Sequence, residues 1–339
     1  MKKIVSTIFL LASLLVGAIL PAASITAQED ELIEINIAYM PNFGSSYDII
    51  TGINGGFFEE EGLKVNLVEF ADGPTIIAAM ESGSIDIGNI GPGAHVLPIQ
   101  DRAEIIGFAH LGNADEVLGR TDKGVAALED LAGKKIASAS GTSAEQILVL
   151  TLEEAGLTVD DVEIIDMDAS AIVTAMISGS IDAAATWSPN TTAIKNELGD
   201  DVVMLSNNAR YAEHFPSISS YAVTPGYVDE NQETVERFLR GLYKAADYRS
   251  ENMDQVVEWV AAQLAVDPAS IEAQINDGDW KSAAEHLELV ESGSLETYYT
   301  SQQENFITGG RLTEEERRDA SEYVHFDLML EALKAVTEE

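Results

Sequence analysis

Residues 68–86 read VEFADGPTIIAAMESGSID, and residues 164–182 read IIDMDASAIVTAMISGSID. Nine of the nineteen positions are identical at a constant offset of 96, including the closing Ser-Gly-Ser-Ile-Asp. Each copy continues into a short apolar stretch and a proline loop, IGNIGPG at 87–93 and AAATWSPN at 183–190. Stacked-repeat proteins have periods of about 20–50 residues, so this longer period predicts two similar lobes instead. Two facing lobes form a cleft, which is where small molecules commonly bind.

The residues around each copy predict strands that alternate with helices. The first half reads as strands at 34–39, 63–70 and 85–90 with helices between them, and the second half repeats this order from 134 to 186. Such alternation is typical of parallel sheets covered by helices, so the predicted fold class is α/β. From residue 229 onward the apolar residues recur at helical spacing, which predicts a helical extension.

We predict five segments from these patterns. They are a signal peptide at 1–27, a first lobe at 28–118, a second lobe at 119–218, a return strand and helical cap of the first lobe at 219–312, and an acidic, peripheral C-terminal helix at 313–339. Strands at 105–109 and 116–120 are expected to carry the chain from the first lobe to the second.

The N-terminus has the pattern of a cleavable secretory signal peptide. Met1-Lys2-Lys3 precedes an apolar stretch at 4–20, and small residues follow up to Ala27. The apolar stretch is short for an uncleaved membrane anchor. The chain contains no cysteine, which excludes disulfides, thiolate metal sites, a cysteine nucleophile and a lipid-modified cysteine anchor. We therefore expect an exported protein of the periplasm or another extracytoplasmic space.

The chain is strongly acidic, with a formal net charge of −39. Removal of residues 1–27 takes away Lys2 and Lys3 but no acidic residue, which leaves −41. Such a charge excludes nucleic acids and anionic membranes as partners, because both require a basic surface. An evenly acidic, solvated surface is typical of adaptation to salt or to alkaline conditions. We expect a monomer.

Ligands of open parallel sheets lie beyond the carboxyl ends of the strands. This rule places six loops at the predicted cleft, three from each copy: 40–46, 72–75, 91–95, 140–143, 168–170 and 187–190. The candidate ligand-binding residues in these loops are Asn42, Phe43, Ser45, Asp72, Gly91, Pro92, Gly93, Ser140, Gly141, Thr142, Ser143, Asp168, Trp187 and Ser188.

The run Ser140-Gly141-Thr142-Ser143 connects a predicted strand to a predicted helix. Free backbone N–H groups, hydroxyls and a helix N-terminus together bind anions, although Thr142 or Ser143 could also serve only as a helix cap. Trp187, with Ser188 beside it, could enclose a ligand or belong to the core. Asn42 and Ser45 could donate to an anion or simply form a turn.

Asp72 and Asp168 occupy matching positions before the two repeated helices. Each could cap its helix, and each could also bind a ligand ammonium group.

Catalysis finds little support in the sequence. The five histidines lack metal-ligand spacing, and the chain has no Gly-x-Ser-x-Gly, phosphate-loop or Gly-x-Gly-x-x-Gly motif. We therefore predict no catalytic residue, no metal and no cofactor.

Three segments together resemble the nitrate/sulfonate/taurine group of ABC-transporter solute-binding proteins. They are VEFADGPTIIAAMESGSIDIG, LEDLAGKKIASASGTSAEQILVLTLEEAGLTVDDVEII and AMISGSIDAAATWSP. The resemblance implies a type II periplasmic binding protein fold, with two α/β lobes, two crossover strands and closure around one small ligand. It also implies a membrane permease as partner and ligand contacts from 42–46, 91–93, 140–143 and 187–190. The chain departs from the group at Asn89–Ala94, where glycines flank Pro92 and relatives often have Thr, Ser or Asp beside the proline.

The sequence thus predicts an extracytoplasmic receptor for a small anionic or zwitterionic solute, preferably an aliphatic sulfonate or taurine. If taurine is the ligand, Asp72 or Asp168 is the first candidate to bind its ammonium group. Two alternatives stay open. The same receptor role could serve a pyrimidine, a riboflavin-like heterocycle or nitrate, or the fold could carry an enzyme, such as a pyrimidine-precursor synthase or a chorismate-type dehydratase.

Overall fold

The computed structural model describes residues 32–212 and 215–338, and the predicted signal peptide at 1–27 lies outside them. The strands are β1 (Ile33–Tyr39), β2 (Leu63–Glu69), β3 (Ile87–Ile90), β4 (Glu104–Gly112), β5 (Asp115–Arg120), β6 (Lys135–Ser138), β7 (Glu163–Asp166), β8 (Ala183–Trp187), β9 (Val202–Asn207), β10 (Ile218–Val223) and β11 (Gly278–Asp279). The helices are α1 (Phe43–Asn54), α2 (Phe57–Glu60), α3 (Gly73–Glu81), α4 (Val96–Ile99), α5 (Ser143–Glu154), α6 (Ala169–Ser178), α7 (Asn190–Leu198), α8 (Asn208–Tyr211), α9 (Tyr227–Glu251), α10 (Met253–Leu264), α11 (Pro268–Glu272), α12 (Ala283–Glu291), α13 (Ser294–Thr308) and α14 (Phe326–Thr337). None of these described helices is long and apolar enough to cross a membrane.

The strands form two mixed sheets. The first has the order β11-β4-β10-β3-β1-β2, and the second has the order β7-β6-β8-β5-β9. In the first sheet β1 is parallel to β2 and β3, while β10 is antiparallel to β3 and β4. In the second, β6 is parallel to β7 and β8, while β5 is antiparallel to β8 and β9. Each half of the repeat therefore builds the parallel part of one sheet.

The chain passes between the two sheets twice, from β4 to β5 and from β9 back to β10. The prediction that the strands around 105–109 and 116–120 carry the first crossing is confirmed, because β4 belongs to the first sheet and β5 to the second. Asn208 links the two crossings, since its Nδ2 donates to Asp115 Oδ2 at 2.9 Å and to Ser217 Oγ at 2.7 Å. This amide holds the two connecting segments side by side.

The repeated Ser-Gly-Ser stops both repeated helices in the same way. Gly83 and Gly179 have φ of 77° and 72°, a left-handed conformation that favours glycine. The serines on either side of each glycine donate to one carbonyl near the helix end, that of Ala79 in the first copy and that of Ala175 in the second. The duplicated sequence therefore encodes a duplicated helix stop.

The aspartate that closes each copy ties the helix stop to the preceding strand. Asp86 Oδ2 accepts the Asn36 N–H at 2.7 Å, and Asp182 Oδ2 accepts the Lys135 N–H at 3.0 Å. In both copies the backbone N–H of the aspartate donates to the carbonyl of that same partner, at 3.0 and 2.9 Å. These paired bonds set where the parallel strand following each helix begins.

The repeated apolar residues are core residues in both lobes. Ile76 and Met80 on α3 are buried, and so are their equivalents Ile172 and Met176 on α6. Burial of each such side chain stabilises the fold by roughly 1.5–3 kcal/mol.

The C-terminal segment is not peripheral, so that part of the prediction is wrong. Leu328, Met329 and Leu333 on α14 are buried and belong to the main apolar core. Val324, just before this helix, forms a bridge with Ile105 of β4. The segment is acidic only on its outer face, and its apolar face packs against α9 and α12. The acidic composition of the segment made this apolar face hard to recognise in the sequence.

Candidate ligand-binding site

A cleft of about 690 Å³, partly open to solvent, lies between the lobes. Its wall draws on strand ends and helix starts of both sheets, on the first crossover and on the helical extension. The lining residues are Met40, Asn42, Gly44, Ser45, Asp72, Gly73, Pro74, Asn89, Gly91, Pro92, Gly93, Ala94, His110, Gly112, Ala114, Asp115, Thr142, Ser143, Trp187, Ser188, Ser219, Gln274 and Asp277.

Ten of the fourteen predicted site residues line this cleft. They are Asn42, Ser45, Asp72, Gly91, Pro92, Gly93, Thr142, Ser143, Trp187 and Ser188. Five of the six predicted loops contribute to the wall, and the loop at 168–170 does not. The rule that ligand loops follow the strand ends therefore located most of the cleft.

The other four predicted residues lie elsewhere. Phe43 is fully buried in the core, where its ring stacks on Tyr47 at a centroid distance of 5.3 Å. Ser140, Gly141 and Asp168 do not line the cleft either. The predicted loop at 40–46 ends earlier than expected, because α1 begins at Phe43 and turns that side chain inward.

The expected free N–H groups of Ser140 and Gly141 are already occupied. The Ser140 N–H donates to Asp166 Oδ1 at 3.0 Å, and the Gly141 N–H donates to Glu145 Oε2 at 2.9 Å. Two carboxylates of the chain itself thus take the place where an anion was expected. The part of this run that faces the cleft is Thr142 and Ser143 at the N-terminus of α5.

The polar residues of the first lobe are held by helix caps. Asn42 Oδ1 accepts the Ser45 N–H at 2.9 Å, which caps α1. Ser45 Oγ donates to Asn89 Oδ1 at 2.8 Å, which connects this cap to the end of β3. Asp72 Oδ1 caps α3 by accepting the Thr75 N–H at 2.9 Å. The capping role anticipated for Asp72 is confirmed, and the same side chain lines the cleft.

The two lobes touch each other at Gly93. A Cβ atom at this position would lie 2.0 Å from the Thr142 carbonyl carbon and 2.3 Å from the Ser143 nitrogen. Gly93 O also accepts a hydrogen bond from Arg311 Nη2 at 3.0 Å. The glycine after Pro92, which departs from the pattern of the resembled group, is therefore what lets the first lobe meet the start of α5.

Two carboxylates on the wall come from outside the repeat, that of the buried Asp115 and that of the half-buried Asp277. Asp115 is 5% exposed and accepts from Ser143 Oγ at 2.8 Å and from Asn208. Burial raises its pKa to about 6. Burial likewise raises the pKa of Asp277 to about 6, against the lowering effect of a hydrogen bond from Ser188. Asp277 Oδ2 is buried and has no hydrogen-bond partner among the described residues.

Asp277 is positioned by the first crossover. Its carbonyl accepts the Asn113 N–H at 2.6 Å, and the next residue, Gly278, pairs with Gly112 in the sheet. Asp115 follows two residues after Asn113, so both carboxylates flank the same short segment. The ionised Asp277 contributes to raising the pKa of Asp115, as expected for two neighbouring acids.

His110 also lines the cleft and is 5% exposed. Burial, with the positive charge of Arg249 as a lesser cause, lowers its pKa to about 3, so the ring is neutral at physiological pH. Its Nδ1 has no hydrogen-bond partner in the described part of the chain. Within the same residues, no group of three or more His, Asp or Glu side chains could hold a metal ion.

Sequence reasoning missed the wall residues that lie outside the six predicted loops: Asn89, His110, Gly112, Ala114, Asp115, Ser219, Gln274 and Asp277. The polar residues between the two predicted crossover strands were an available signal for His110 and Asp115. Gln274 and Asp277 had no such signal, because they lie in the helical extension and depend on distant contacts. Gln274 accepts the Phe43 N–H, and Asp277 precedes the pairing of β11 with β4.

Comparison with known proteins gives a consistent result. A family model described as NMT1/THI5 like matches residues 45–255, more than half of the chain. A protein of Brucella abortus (strain 2308), named "Putative binding protein", is 32% identical over 281 residues, covering 83% of this chain and 87% of that protein. The taurine-binding periplasmic protein of Escherichia coli (strain K12) is 24% identical over 241 residues, covering 70% of this chain and 73% of that protein.

A solved structure supports the same fold. The alkanesulfonate-binding protein from Xanthomonas axonopodis pv. citri, solved bound to MOPS, matches with a TM-score of 0.70 at 19% identity. The match covers 87% of this chain and 99% of that one. The predicted two-lobed periplasmic binding protein fold is thereby confirmed.

Proposed function

The chain belongs to the NMT1/THI5-like family, and on that basis we propose that it is an extracytoplasmic solute-binding protein of an ABC importer. The observation that carries the proposal is the cleft of about 690 Å³ between two lobes that meet at Gly93. Clefts between lobes are common binding places for one small ligand. Closure of the lobes around the solute would present it to a membrane permease.

We propose a small anionic or zwitterionic solute, with an aliphatic sulfonate or taurine preferred. The taurine-binding and alkanesulfonate-binding names of two similar proteins support this class. The start of α5 and the caps of α1 and α3 border the cleft, and helix N-termini favour negatively charged groups. High salt would reduce the repulsion between an anion and this acidic chain, because screening shortens to about 3 Å at molar ionic strength.

The proposed extracytoplasmic location follows from the N-terminal pattern of residues 1–27 together with the periplasmic relative.

A heterocyclic ligand, the alternative within the same role, would stack on Trp187, which is half-buried at the cleft. The enzyme alternative finds no support from His110, the histidine on the described cleft wall, because its Nδ1 has no hydrogen-bond partner that would orient the ring as a general base.

Thermal unfolding of the protein without residues 1–27 tests the proposal. The panel comprises taurine, alkanesulfonates, nitrate, pyrimidines and flavin in high salt. A ligand at one hundred times its Kd adds about 2.7 kcal/mol of stability, which raises Tm clearly. A rise with a sulfonate supports the preferred solute, and a rise with a heterocycle keeps the receptor role only. Absence of any rise, together with measured turnover of a candidate substrate, would favour the enzyme instead.

A further inference from the structure

We infer that the solute carries a cationic amino group and that Asp115 and Asp277 bind it. This inference rests on the proposed function and narrows it to amine-bearing solutes. Simple alkanesulfonates and nitrate, which lack the amine, would then be poor ligands. The predicted ammonium site, Asp72 or Asp168, is replaced by two acids that the repeat does not contain.

The charges on the cleft wall are the first argument. Three carboxylates line it, those of Asp72, Asp115 and Asp277, and no lysine or arginine is among the lining residues in the described part of the chain. The positive end of α3, which Asp72 caps, partly offsets the charge of this carboxylate. Asp115 accepts a hydrogen bond from Ser143 at the start of α5, and Asp277 caps no described helix. A purely anionic ligand would therefore face the negative charges of both acids, with no lysine or arginine on the described wall to offset them.

Two cations, Lys195 and Arg311, lie near the cleft but outside its wall. Lys195 Nζ donates to Glu116 Oε1 at 2.6 Å, although its charge still reaches Asp277. Arg311 approaches the Gly93 loop, where its Nη2 donates to the Gly93 carbonyl and its buried Nη1 has no hydrogen-bond partner among the described residues. Neither side chain belongs to the cleft wall. Because the described wall carries acids and no cation of its own, a cationic group of the ligand would offset their charge.

The second argument is the unmet hydrogen-bonding capacity of Asp277 and His110, since both oxygens of Asp115 already accept hydrogen bonds. Asp277 Oδ2 is buried without a partner, and the Nδ1 of His110, a cleft residue that is 5% exposed, also has none. A buried carboxylate oxygen without a donor is costly, and an ammonium group supplies three donors together with the opposite charge. Burial raises the pKa of both acids, so a nearby cation would stabilise their ionised forms.

The third argument concerns the alternative anion site. The Ser140 and Gly141 N–H groups, where an anion was expected, already bind Asp166 and Glu145. What remains for an acidic group of the ligand is the start of α5, where Ser143 is itself bonded to Asp115. A short zwitterion could therefore place its two ends on neighbouring groups, the amine at the acids and the acidic end at the helix.

The test compares taurine with 2-hydroxyethanesulfonate, which replaces the amine by a hydroxyl at nearly the same size. Isothermal titration at pH 7.5 would measure both ligands on the wild type and on Asp277→Asn and Asp115→Asn. Asp168→Asn is the matched control, because this aspartate is exposed and lies outside the cleft. Circular dichroism would verify that each variant is folded.

We expect the wild type to bind taurine at least about 100-fold more tightly than 2-hydroxyethanesulfonate, because the amine adds roughly two charge-assisted hydrogen bonds. Asp277→Asn should bind taurine at least about 30-fold more weakly than the wild type, because it removes one charge partner of the amine. Its affinity for 2-hydroxyethanesulfonate should change less than about threefold. The control Asp168→Asn should bind both ligands as the wild type does. A protonated aminopyrimidine that binds in place of taurine, with the same loss in Asp277→Asn, would equally support the inference.

Equal affinity for the two sulfonates, or an equal loss of both in Asp277→Asn, would overturn the inference and leave the proposed receptor role intact. Binding of nitrate or an alkanesulfonate without any amine-bearing ligand would do the same. A wild type that binds no member of the panel would instead count against the proposed function.

Discussion

Asp72 and Asp168 occupy the same position in the two copies of the repeat, yet their surroundings differ. Asp72 caps α3 and lines the cleft, whereas Asp168 is exposed, makes no capping bond and lies outside the cleft. By contrast, Asp86 and Asp182 accept equivalent N–H groups in both lobes. Equivalent residues of the two copies therefore make the same contacts where they stabilise each lobe. Their contacts differ where one of the two lines the cleft.

The same contrast holds for the proline loops that follow the two copies. The first presents Gly91-Pro92-Gly93 to the opposite lobe, and the second presents Trp187-Ser188. A flat backbone on one side and a large ring on the other leave a cleft between them. Equivalent positions in a duplicated fold are thus a good guide to structure and a poor guide to ligand contacts.

The largest expected effect breaks the contact between the lobes. Gly93→Ala places a Cβ 2.0 Å from a backbone atom of the other lobe, so closure should fail. Ligand affinity should fall by at least about 100-fold, equivalent to about 2.7 kcal/mol. Titration gives the affinity, and small-angle scattering with ligand shows whether the lobes close.

Gly91→Ala is the control for this change. A Cβ at Gly91 would meet no protein atom within 4 Å, so this variant should still close. If Gly93→Ala closes and binds as the wild type does, the contact at Gly93 is not needed for the bound state. The difference between the two proline loops would then have to be explained by their contacts with the ligand alone.

The next effect tests the equivalence of the two copies. Asp86→Ala and Asp182→Ala each remove a carboxylate that accepts a backbone N–H, which should cost about 2 kcal/mol in each lobe. The double variant should show nearly additive losses, because the sites share no partner. Urea unfolding measures these free energies, and the corresponding asparagine variants, which keep an oxygen acceptor, should lose less. A marked loss in one copy and none in the other would contradict the equivalence.

A smaller effect is the pH dependence of ligand affinity, which distinguishes the acids of the cleft from those of the repeat. The pKa values of Asp115 and Asp277 are raised to about 6, so both are mostly ionised at pH 7.5 and mostly protonated at pH 5. An amine-bearing ligand needs the ionised forms. Its affinity should therefore fall by roughly tenfold for each acid as the pH drops from 7.5 to 5.

The other charged groups near the pair should change this profile little. Glu116 and Lys195 neutralise each other, and His110 remains neutral throughout because its pKa is about 3. Titrations of the wild type and of Asp277→Asn at both pH values make the measurement. An affinity that does not change with pH in the wild type would exclude these acids as the amine site.

The smallest effect concerns the two aspartates that opened the comparison. Asp72→Ala removes the cap of α3 and should cost about 1 kcal/mol of stability, whereas Asp168→Ala should change it by less than about 0.5 kcal/mol. Thermal unfolding without ligand compares them directly. Equal losses would show that Asp168 caps its helix in solution after all.

The sequence by itself determined the two lobes and the order of their strands and helices. Periodic apolar residues, glycines at the helix ends and the repeated Ser-Gly-Ser-Ile-Asp act through neighbours a few residues away, so their effects are visible in a linear pattern. The helix α6 (Ala169–Ser178) lies within the second half at 134–186, where the repeat predicted alternating strands and helices. The loops that follow the strands also indicated most of the cleft wall, because parallel strands deliver their ends to one edge.

Only the tertiary structure decided which polar groups remain available to a ligand. Whether the Ser140 and Gly141 N–H groups are free depends on Asp166 and Glu145 reaching them, and the place of Asp277 beside Asp115 depends on pairing between β11 and β4. Gly93 likewise owes its importance to the backbone of the opposite lobe. These contacts join residues that are distant along the chain, and no local spacing records which side chain will fill a given space or satisfy a given donor.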